Sequence, residues 1–303
     1  QISVINAGWR WPTTFVNAKQ RSVEVRGMNI EGKVEVTGLS DVGRKRSHNE
    51  DSIGTDTAVG LAVLADGMGG YRAGEVASAM AVQDIMSTIR TGVQGLKHGD
   101  VDEDSGFTRE SLLVKRAVEQ ANSSIHTKAL NEPQCQGMGT TVVAAMFYDD
   151  RLTIAHVGDS RLYRLRRGVF EQITVDHSLL QELVDKGFYT PEEAKHSLNK
   201  NLVTRAMGIE DSVIPDVQEE AVVPGDIYLM CSDGLTDLVE DEEIHLTLEK
   251  YSADLDKVAG VLVQAANDNG GKDNISVILA RALKPFPSSS KGSWYSRFLD
   301  WFS

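Results

Sequence analysis

The spacing of hydrophobic residues changes several times along the chain, and each change predicts a new element. Residues 1 to 32 show no clear periodicity and are interpreted as an N-terminal extension. Alternation that begins at Val34 predicts the first strand, and strand-like patterns continue to Ala65. Hydrophobic residues then recur at helical spacing over residues 73–90 and 108–130, which predicts two helices.

Short strand patterns with tight corners follow the second predicted helix. They cover residues 140–148, 152–157, 161–166 and 169–174, and this arrangement is typical of an antiparallel meander. Further strands are predicted over 213–223, 226–231 and 274–280, and two further helices over 241–250 and 254–267. Because strands are grouped with strands and helices with helices, the pattern favours an α+β fold in which helices cover antiparallel sheets.

Residues 176–208 interrupt the sheet pattern with helical spacing, and we predict that they form a flap. Within them, Thr190 and Glu193 have the spacing of a capping box, and Pro191 occupies the first helical position. The flap lies inside a single predicted domain over residues 33–283, followed by a Pro- and Ser-containing linker and tail over 284–303.

Composition narrows the class of protein. A chain of 303 residues with 41% hydrophobic content can bury a large core. Its net charge of -13 argues against binding to nucleic acid or to an anionic membrane through a basic surface. Two cysteines are too few for a disulfide framework, and no segment matches a signal peptide or a membrane span, so we expect a cytoplasmic location.

Several acidic residues stand beside a glycine, an asparagine or a predicted strand end: Asp51, Asp66, Asp159, Asp233 and Asp273. Each alone would be an ordinary turn residue. However, Asp66 and Asp233 come after apolar runs, and buried strands would deliver unpaired charges at those points unless a cation were bound. Since Mg²⁺ and Mn²⁺ prefer oxygen ligands, the pattern predicts a site for hard divalent cations.

These acids belong to short motifs that occur in one order. The motifs are Asp41-Val42-Gly43 with Arg46, Asn49-Glu50-Asp51, Asp66-Gly67-Met68-Gly69-Gly70, Gly139-Thr140-Thr141, Gly158-Asp159-Ser160-Arg161, Asp176-His177-Ser178, Thr204-Arg205, Ser232-Asp233-Gly234 and Asp273-Asn274. Over residues 33–283 the series resembles the bacterial branch of the metal-dependent PPM (PP2C-type) protein serine/threonine phosphatases. The resemblance implies an α-β-β-α sandwich of two antiparallel sheets flanked by helices, with two metals in a cleft at one sheet edge.

The resemblance also implies a role for each matching residue. Asp66 would bridge two Mn²⁺ or Mg²⁺ ions, and Gly67 would offer its backbone carbonyl. Asp233 and Asp273 would complete the ligands of the first metal.

The second and third metals are assigned in the same way. Glu50 and Asp51 would hold waters on the second metal, and Asp159 matches the acid that bacterial members use for a weaker third one. Arg46 matches the arginine that binds phosphate, so that Arg46 and Asp66 are the expected catalytic residues.

The chemistry of a phosphate monoester requires this division of roles. Its oxygens are already negative, so cations must neutralise them and a nucleophile must be ionised at neutral pH. A water that bridges two divalent ions meets the second need, and the paired donors of Arg46 meet the first. Met68 stands where many animal relatives carry a proton-donating histidine; we hypothesise that a water on the metal held by Asp159 supplies that proton.

The function expected from these observations is hydrolysis of phosphoserine and phosphothreonine on proteins, opposing a bacterial serine/threonine kinase. The expected partners are phosphorylated proteins and the kinase that shares those targets. Two alternatives remain open: a regulatory member that binds phosphoproteins without turnover, and a metal hydrolase of small phosphorylated molecules.

Aromatic residues at the C-terminus and two histidines complete the candidates. A short helix predicted in residues 292–302 carries Trp294, Phe298, Trp301 and Phe302 on one face, and it either packs on its own domain or docks on a partner or a membrane surface. His156 lies in an apolar strand and is interpreted as a core or cleft residue. His177, at the start of the flap, is left without an assigned role.

Overall fold

The computed structural model describes residues 3–5, 30, 32–70, 73–96, 99–190, 193 and 202–286. Within these residues, two antiparallel sheets lie face to face, and a pair of long helices covers the outer face of each. The predicted α-β-β-α sandwich is therefore confirmed.

The strands of both sheets pair in antiparallel fashion throughout. The first sheet contains, in spatial order, β1 (Ser3–Ile5), β3 (Asp51–Asp56), β4 (Leu61–Met68), β6 (Val142–Tyr148), β7 (Arg151–Val157) and β10 (Asp216–Ala221), with β5 (Gly139–Thr140) beside the end of β4. The second contains β2 (Val34–Asp41), β12 (Ile275–Ala282), β11 (Ile227–Cys231), β8 (Arg161–Arg166) and β9 (Val169–Gln172).

Helices form the two outer layers. The first sheet is covered by α1 (Ala73–Gly92) and α2 (Arg109–Asn131), and the second by α5 (Asp241–Tyr251) and α6 (Leu255–Asp268). Two shorter helices are α3 (Leu179–Asp185), within the predicted flap, and α4 (Asp233–Thr236), directly after β11. Side chains cap α2 and α6, because Thr108 accepts a hydrogen bond from the backbone of Ser111 and Asp254 accepts one from that of Lys257.

Strand β11 is apolar at every position because both of its faces are buried. Ile227, Leu229 and Cys231 pack against α5 and α6, whereas Tyr228 and Met230 face the first sheet. Successive side chains of a strand point to opposite faces, so a strand buried on both sides is apolar at every position. The same alternation in β4 and β6 builds the layer between the sheets and the layer under α1 and α2.

The structure differs from the predicted elements in a few places. The strand predicted from residue 140 is interrupted at Thr141, whose N–H donates to the carbonyl of Asp66. Asp66 itself lies inside β4 and not after it.

The predicted capping box is confirmed, since Thr190 and Glu193 exchange backbone and side-chain hydrogen bonds.

Residues beyond the predicted domain boundaries take part in the fold. The N-terminal extension supplies β1, which pairs with β3. Ile30 and Phe286 are buried in the layer between the sheets, where Phe286 packs edge-on against Phe147. Apart from Gly32, the remaining residues of the extension lie outside the described residues, as does the predicted tail helix over 292–302. In the described part of the chain, no helix has the length and apolar content needed to span a bilayer.

Candidate metal centre

The predicted acids come together at one end of the sandwich, where strands of both sheets begin or end. Asp51 and Asp66 are directly opposite each other in the register of β3 and β4. Asp233 follows β11 and Asp273 precedes β12, both in the second sheet. Asp159 lies in the turn that leads from β7 in the first sheet to β8 in the second. Both sheets therefore contribute acids to the same end.

Hydrogen bonds join the acids of the first sheet to neighbours in the second. The Oδ2 atom of Asp51 accepts hydrogen bonds from Ser232 Oγ at 2.9 Å and from Ser276 Oγ at 2.6 Å. The backbone N–H of Glu50 donates to Asn274 Oδ1 at 2.8 Å. These contacts fix how the two sheets meet beneath the site.

Threonine side chains position Asp66. Its N–H donates to Thr141 Oγ1 at 3.1 Å, and its carbonyl accepts from Thr141 N and Thr140 Oγ1, both at 2.8 Å. Thr141 Oγ1 also lies 2.7 Å from Ser160 Oγ, next to Asp159. Sequence reasoning quoted the Gly139-Thr140-Thr141 motif but assigned it no role. Its role here is to hold the Asp66 and Asp159 segments together.

Two glycines allow helix α1 to approach the end of β4. A Cβ atom on Gly67 would lie 2.2 Å from the carbonyl oxygen of Gly74 and 2.5 Å from that of Glu50. A Cβ atom on Gly74 would lie 2.8 Å from the carbonyl carbon of Gly67. A side chain at either position would separate strand and helix at the predicted centre.

The acids are too crowded and too buried to be ionised together without a cation. Burial raises the pKa of Asp51 to about 6, and burial with repulsion from Asp176 raises the pKa of Asp159 to about 6. The pKa values of Asp66 and Asp233 are raised well above the usual range, first by burial and then by neighbouring carboxylates. A divalent ion would reverse these penalties.

The donor set fits a hard divalent metal. The Oδ1 atom of Asp51 is buried and has no hydrogen-bond partner in the described structure, so it is available as a ligand. The acids offer oxygen atoms, which Mg²⁺ and Mn²⁺ prefer. The described residues contain one group of three potential ligand atoms that lie within 4.8 Å of one another, formed by His156, His177 and Asp216. The carboxylate oxygens of the predicted centre do not form such a group, so they lie further apart than these three atoms.

The predicted phosphate-binding arginine lies at the rim of the centre. Arg46 Nη2 donates to Asp273 Oδ2 at 2.7 Å, and 51% of the Arg46 side chain is exposed. Glu50 is also near a basic group, because its Oε1 lies 3.3 Å from His48 Nε2. Arg46 is therefore attached to a predicted metal ligand while its guanidinium remains accessible from solvent.

Sequence reasoning missed several neighbours of the centre. Ser276 lies inside the apolar strand β12, and no motif marked it as a donor to Asp51. His156 is buried and its Nε2 lies 2.9 Å from the carbonyl oxygen of Val175, but its buried Nδ1 has no partner among the residues that the structure describes. His177 contacts Gly158, next to Asp159, a contact that could be found only from the fold.

Comparisons with known proteins agree with this architecture. A family model described as protein phosphatase 2C matches residues 42–279. A serine/threonine phosphatase stp of Listeria innocua is 37% identical over 243 residues, which cover 79% of this chain and 92% of the Listeria protein. Serine/threonine protein phosphatase PstP of Mycobacterium tuberculosis is 41% identical over 243 residues, which cover 80% of this chain and 43% of PstP.

Solved structures give the same result. The crystal structure of the Mycobacterium tuberculosis phosphatase PstP/Ppp superposes with a TM-score of 0.73 at 38% identity, covering 83% of this chain and 99% of that one. The catalytic domain of PstP in complex with two manganese ions gives a TM-score of 0.70 at 37% identity, with the same coverage. The match extends over most of the chain and includes the end of the sandwich where the acids meet, and the chain belongs to the protein phosphatase 2C family.

Proposed function

We propose that this chain removes phosphate from serine and threonine residues of proteins and that, in a bacterial cell, it opposes a serine/threonine kinase acting on the same targets. Its family membership makes it a metal-dependent protein serine/threonine phosphatase. The observation that carries the proposal for the site is the convergence of acids from both sheets at one end of the sandwich, where the buried Oδ1 atom of Asp51 has no partner in the described structure.

We assign the metal ligands to the residues predicted from the sequence: Glu50, Asp51, Asp66, Gly67, Asp159, Asp233 and Asp273. When bound, Mn²⁺ or Mg²⁺ neutralises phosphate charge and lowers the pKa of water, so that hydrolysis proceeds at neutral pH. Two ions per site are proposed, with a third held more weakly near Asp159. The two manganese ions bound by the PstP catalytic domain support the pair.

The protein itself supplies orientation and charge. Arg46 is accessible at the rim, and its planar guanidinium can donate two parallel hydrogen bonds to phosphate oxygens. Ser232 and Ser276 hold one oxygen of Asp51, and the other is buried without a partner in the described structure. Thr141 fixes the backbone of Asp66. The acids are therefore positioned before substrate arrives.

The proposed cellular location rests on the state of the cysteines, and the proposed partners follow from the reaction. Cys135 and Cys231 are free and buried, which supports a reducing, cytoplasmic compartment. Phosphorylated proteins are the proposed substrates, and docking through the 292–302 tail remains a prediction from the sequence.

Turnover of a phosphothreonine peptide, an aryl phosphate and a small phosphorylated metabolite, with Mn²⁺ and after chelation, tests the proposal. We expect Mn²⁺-dependent turnover that is fastest on the peptide. Asp233→Asn should lose several kcal/mol of transition-state stabilisation, a rate decrease of about 10³-fold.

Asp104→Asn is the matched control, because it makes the same change at an exposed position in the loop between α1 and α2. Equal rates in Asp233→Asn and Asp104→Asn would exclude the proposed site. Peptide binding without turnover in the Mn²⁺-loaded wild type would favour the regulatory alternative, and preference for the metabolite would favour the third.

A further inference from the structure

A cluster of His156, His177 and Asp216 lies at the base of the flap, beside the candidate metal centre. Their ligand atoms are within 4.8 Å of one another. The two imidazole rings stack with a centroid distance of 4.6 Å and an interplanar angle of 18°, and both are buried. Such a group could be interpreted as a separate metal site. The hydrogen bonds of His177 indicate a different role.

The backbone of Gly158 determines where His177 carries its proton. Gly158 N–H donates to His177 Nδ1 at 3.0 Å. A backbone amide can only donate, so Nδ1 uses its lone pair and the neutral ring carries its proton on Nε2. His177 Nε2 lies 3.3 Å from Asp216 Oδ2, which can accept that proton's hydrogen bond. Nε2 therefore has no lone pair to offer a metal.

An arginine already supplies positive charge at this cluster. Arg205 Nη1 donates to Asp216 Oδ1 at 2.6 Å. It also lies 3.1 Å from His177 Nε2, but with the proton on Nε2 this contact joins two donors and is not a hydrogen bond. The guanidinium is always protonated and pairs with the carboxylate. A metal ion bound to the same atoms would have to displace Arg205 and also break the hydrogen bond from Gly158. His177 and Asp216 are therefore already paired with Gly158, with each other and with Arg205, whereas the buried Nδ1 of His156 has no partner among the described residues.

A second hydrogen bond links the same two residues. His177 N–H donates to the carbonyl of Gly158 at 2.9 Å, so both backbone polar groups of Gly158 are paired with His177. Gly158 has φ +107°, and a Cβ atom there would lie 2.6 Å from the side chain of Thr141. The next residue is Asp159, so His177 fixes the orientation of the turn that carries this acid.

We propose that His177 is a positioning residue: its Nδ1 holds the turn of Asp159 in the orientation needed for the weaker metal, and Asp216 holds the His177 ring through Nε2–H. This inference rests on the proposed assignment of Asp159 as a metal ligand. Groups that orient metal ligands through hydrogen bonds commonly set metal affinity without touching the metal.

The same residue joins the two ends of the flap. Its carbonyl accepts a hydrogen bond from Thr204 N at 2.8 Å, and the neighbouring Leu179 N donates to the carbonyl of Leu202 at 2.9 Å. Residues entering and leaving the flap are therefore tied to the Asp159 turn at His177. A change at His177 should alter the weaker metal site and the base of the flap together.

Two substitutions separate the acceptor at Nδ1 from the donor at Nε2. His177→Asn places an oxygen close to the position of Nδ1 and can still accept from Gly158, whereas the longer side chain of His177→Gln places its polar atoms near Nε2. In the 303-residue chain, calorimetric Mn²⁺ titration of His177→Gln should show the affinity of the weakest binding event reduced about 10-fold. His177→Asn should restore it, and the tight binding events should be unchanged in both.

Equal weak-site affinity in His177→Gln and the wild type, or an equal loss in both variants, would overturn the proposal. Asp159→Asn separates this result from the ligand assignment. If Asp159→Asn loses the weakest event while His177→Gln keeps it, the positioning role alone is wrong. If Asp159→Asn keeps it, Asp159 is not the ligand and the role proposed for His177 fails with it.

The wild-type protein provides a measurement that does not depend on how a variant folds. Nitrogen NMR of the histidine side chains in the Mg²⁺-loaded protein should show His177 with an unprotonated Nδ1 and a protonated Nε2. The opposite tautomer is incompatible with donation from Gly158 N–H and would overturn the proposal.

Discussion

Two acidic sites lie toward opposite ends of the first sheet, and they are stabilised in different ways. Glu219, on β10, accepts hydrogen bonds from Thr108 N at 2.8 Å, Thr108 Oγ1 at 2.9 Å and Ser111 Oγ at 2.6 Å, and pairs with Arg151 at 2.6 Å. At the other end, Asp51 has two donors on one oxygen and none on the other.

The pKa values follow this difference. Burial alone would raise the pKa of Glu219, but hydrogen bonds from Ser111 and Thr108 and the charge of Arg151 lower it overall. Burial raises the pKa of Asp51 in spite of its donors Ser276 and Ser232, and burial together with repulsion from Asp51 raises the pKa of Asp66. The first site is complete within the chain, whereas a cation would complete the second under the proposed ligand assignment. Burial of an acid therefore does not by itself indicate a functional site. The acid must also lack enough hydrogen-bond donors and basic neighbours to stabilise its charge.

Substitution of one acid at each site should give the largest difference in stability between the two sites. Glu219→Ala leaves the donors of Thr108 and Ser111 and the charge of Arg151 without their acceptor, so the free energy of unfolding should fall by about 3 kcal/mol. Asp66→Asn should raise the stability of the chelated protein, because it removes a repulsive charge, and should abolish stabilisation by Mn²⁺. Urea unfolding with Mn²⁺ and with chelator measures both.

Glu219→Gln is the control for the first site, since it keeps an acceptor for Thr108 and Ser111 and should lose much less stability than Glu219→Ala. If Mn²⁺ stabilised Asp66→Asn as much as the wild type, or if chelation abolished the effect of Glu219→Ala, the two sites would not differ in the way described.

Sequence patterns predicted antiparallel sheets covered by helices because the strands and helices are long enough to show their periods, and the two-sheet sandwich was predicted from the family resemblance. The convergence of Asp51, Asp66 and Asp233 could be predicted because each stands in a recognisable motif. Helix α4, with four residues, is too short for any period to show.

Contacts between distant segments could not be predicted in this way. Ser276 is a polar residue in an apolar strand, and only the register of β12 beside β11 and β2 brings it to Asp51. His177 meets Gly158 because the chain turns back after β9, and no local signal encodes that distance. Ile30 and Phe286 fell outside the predicted domain because isolated apolar residues carry no periodicity.

The two sites should respond to pH with opposite signs in the metal-free protein. Asp51 and Asp159 have a folded pKa of about 6, against about 4 when unfolded. The folded state therefore binds more protons in this interval, and stability is lost as pH rises through 6, by up to about 1.4 kcal/mol per pH unit and group. Glu219 has a lowered pKa, so its contribution is lost as pH falls.

Thermal unfolding of the chelated protein between pH 5 and 7 measures the balance of these terms. We expect the midpoint to fall as pH rises, and Asp159→Asn to reduce the slope. Saturating Mn²⁺ should remove the decrease, because the ion favours the ionised acids. A midpoint that rises with pH in the chelated wild type would show that the acids are not destabilising when ionised.

Deletion of a single hydroxyl at each site gives the finest comparison. Thr108→Ala removes the N-cap of α2 and a donor to Glu219, so it should cost about 1 to 2 kcal/mol with or without Mn²⁺. Ser276→Ala removes one of two donors to Asp51, so it should cost less stability but lower Mn²⁺ affinity about 10-fold. Thr108→Ser keeps the hydroxyl and should match the wild type in both measurements. If Thr108→Ala lost Mn²⁺ affinity and Ser276→Ala did not, the prediction would be wrong. The Thr108 hydroxyl would then support Mn²⁺ binding, and the Ser276 hydroxyl would not.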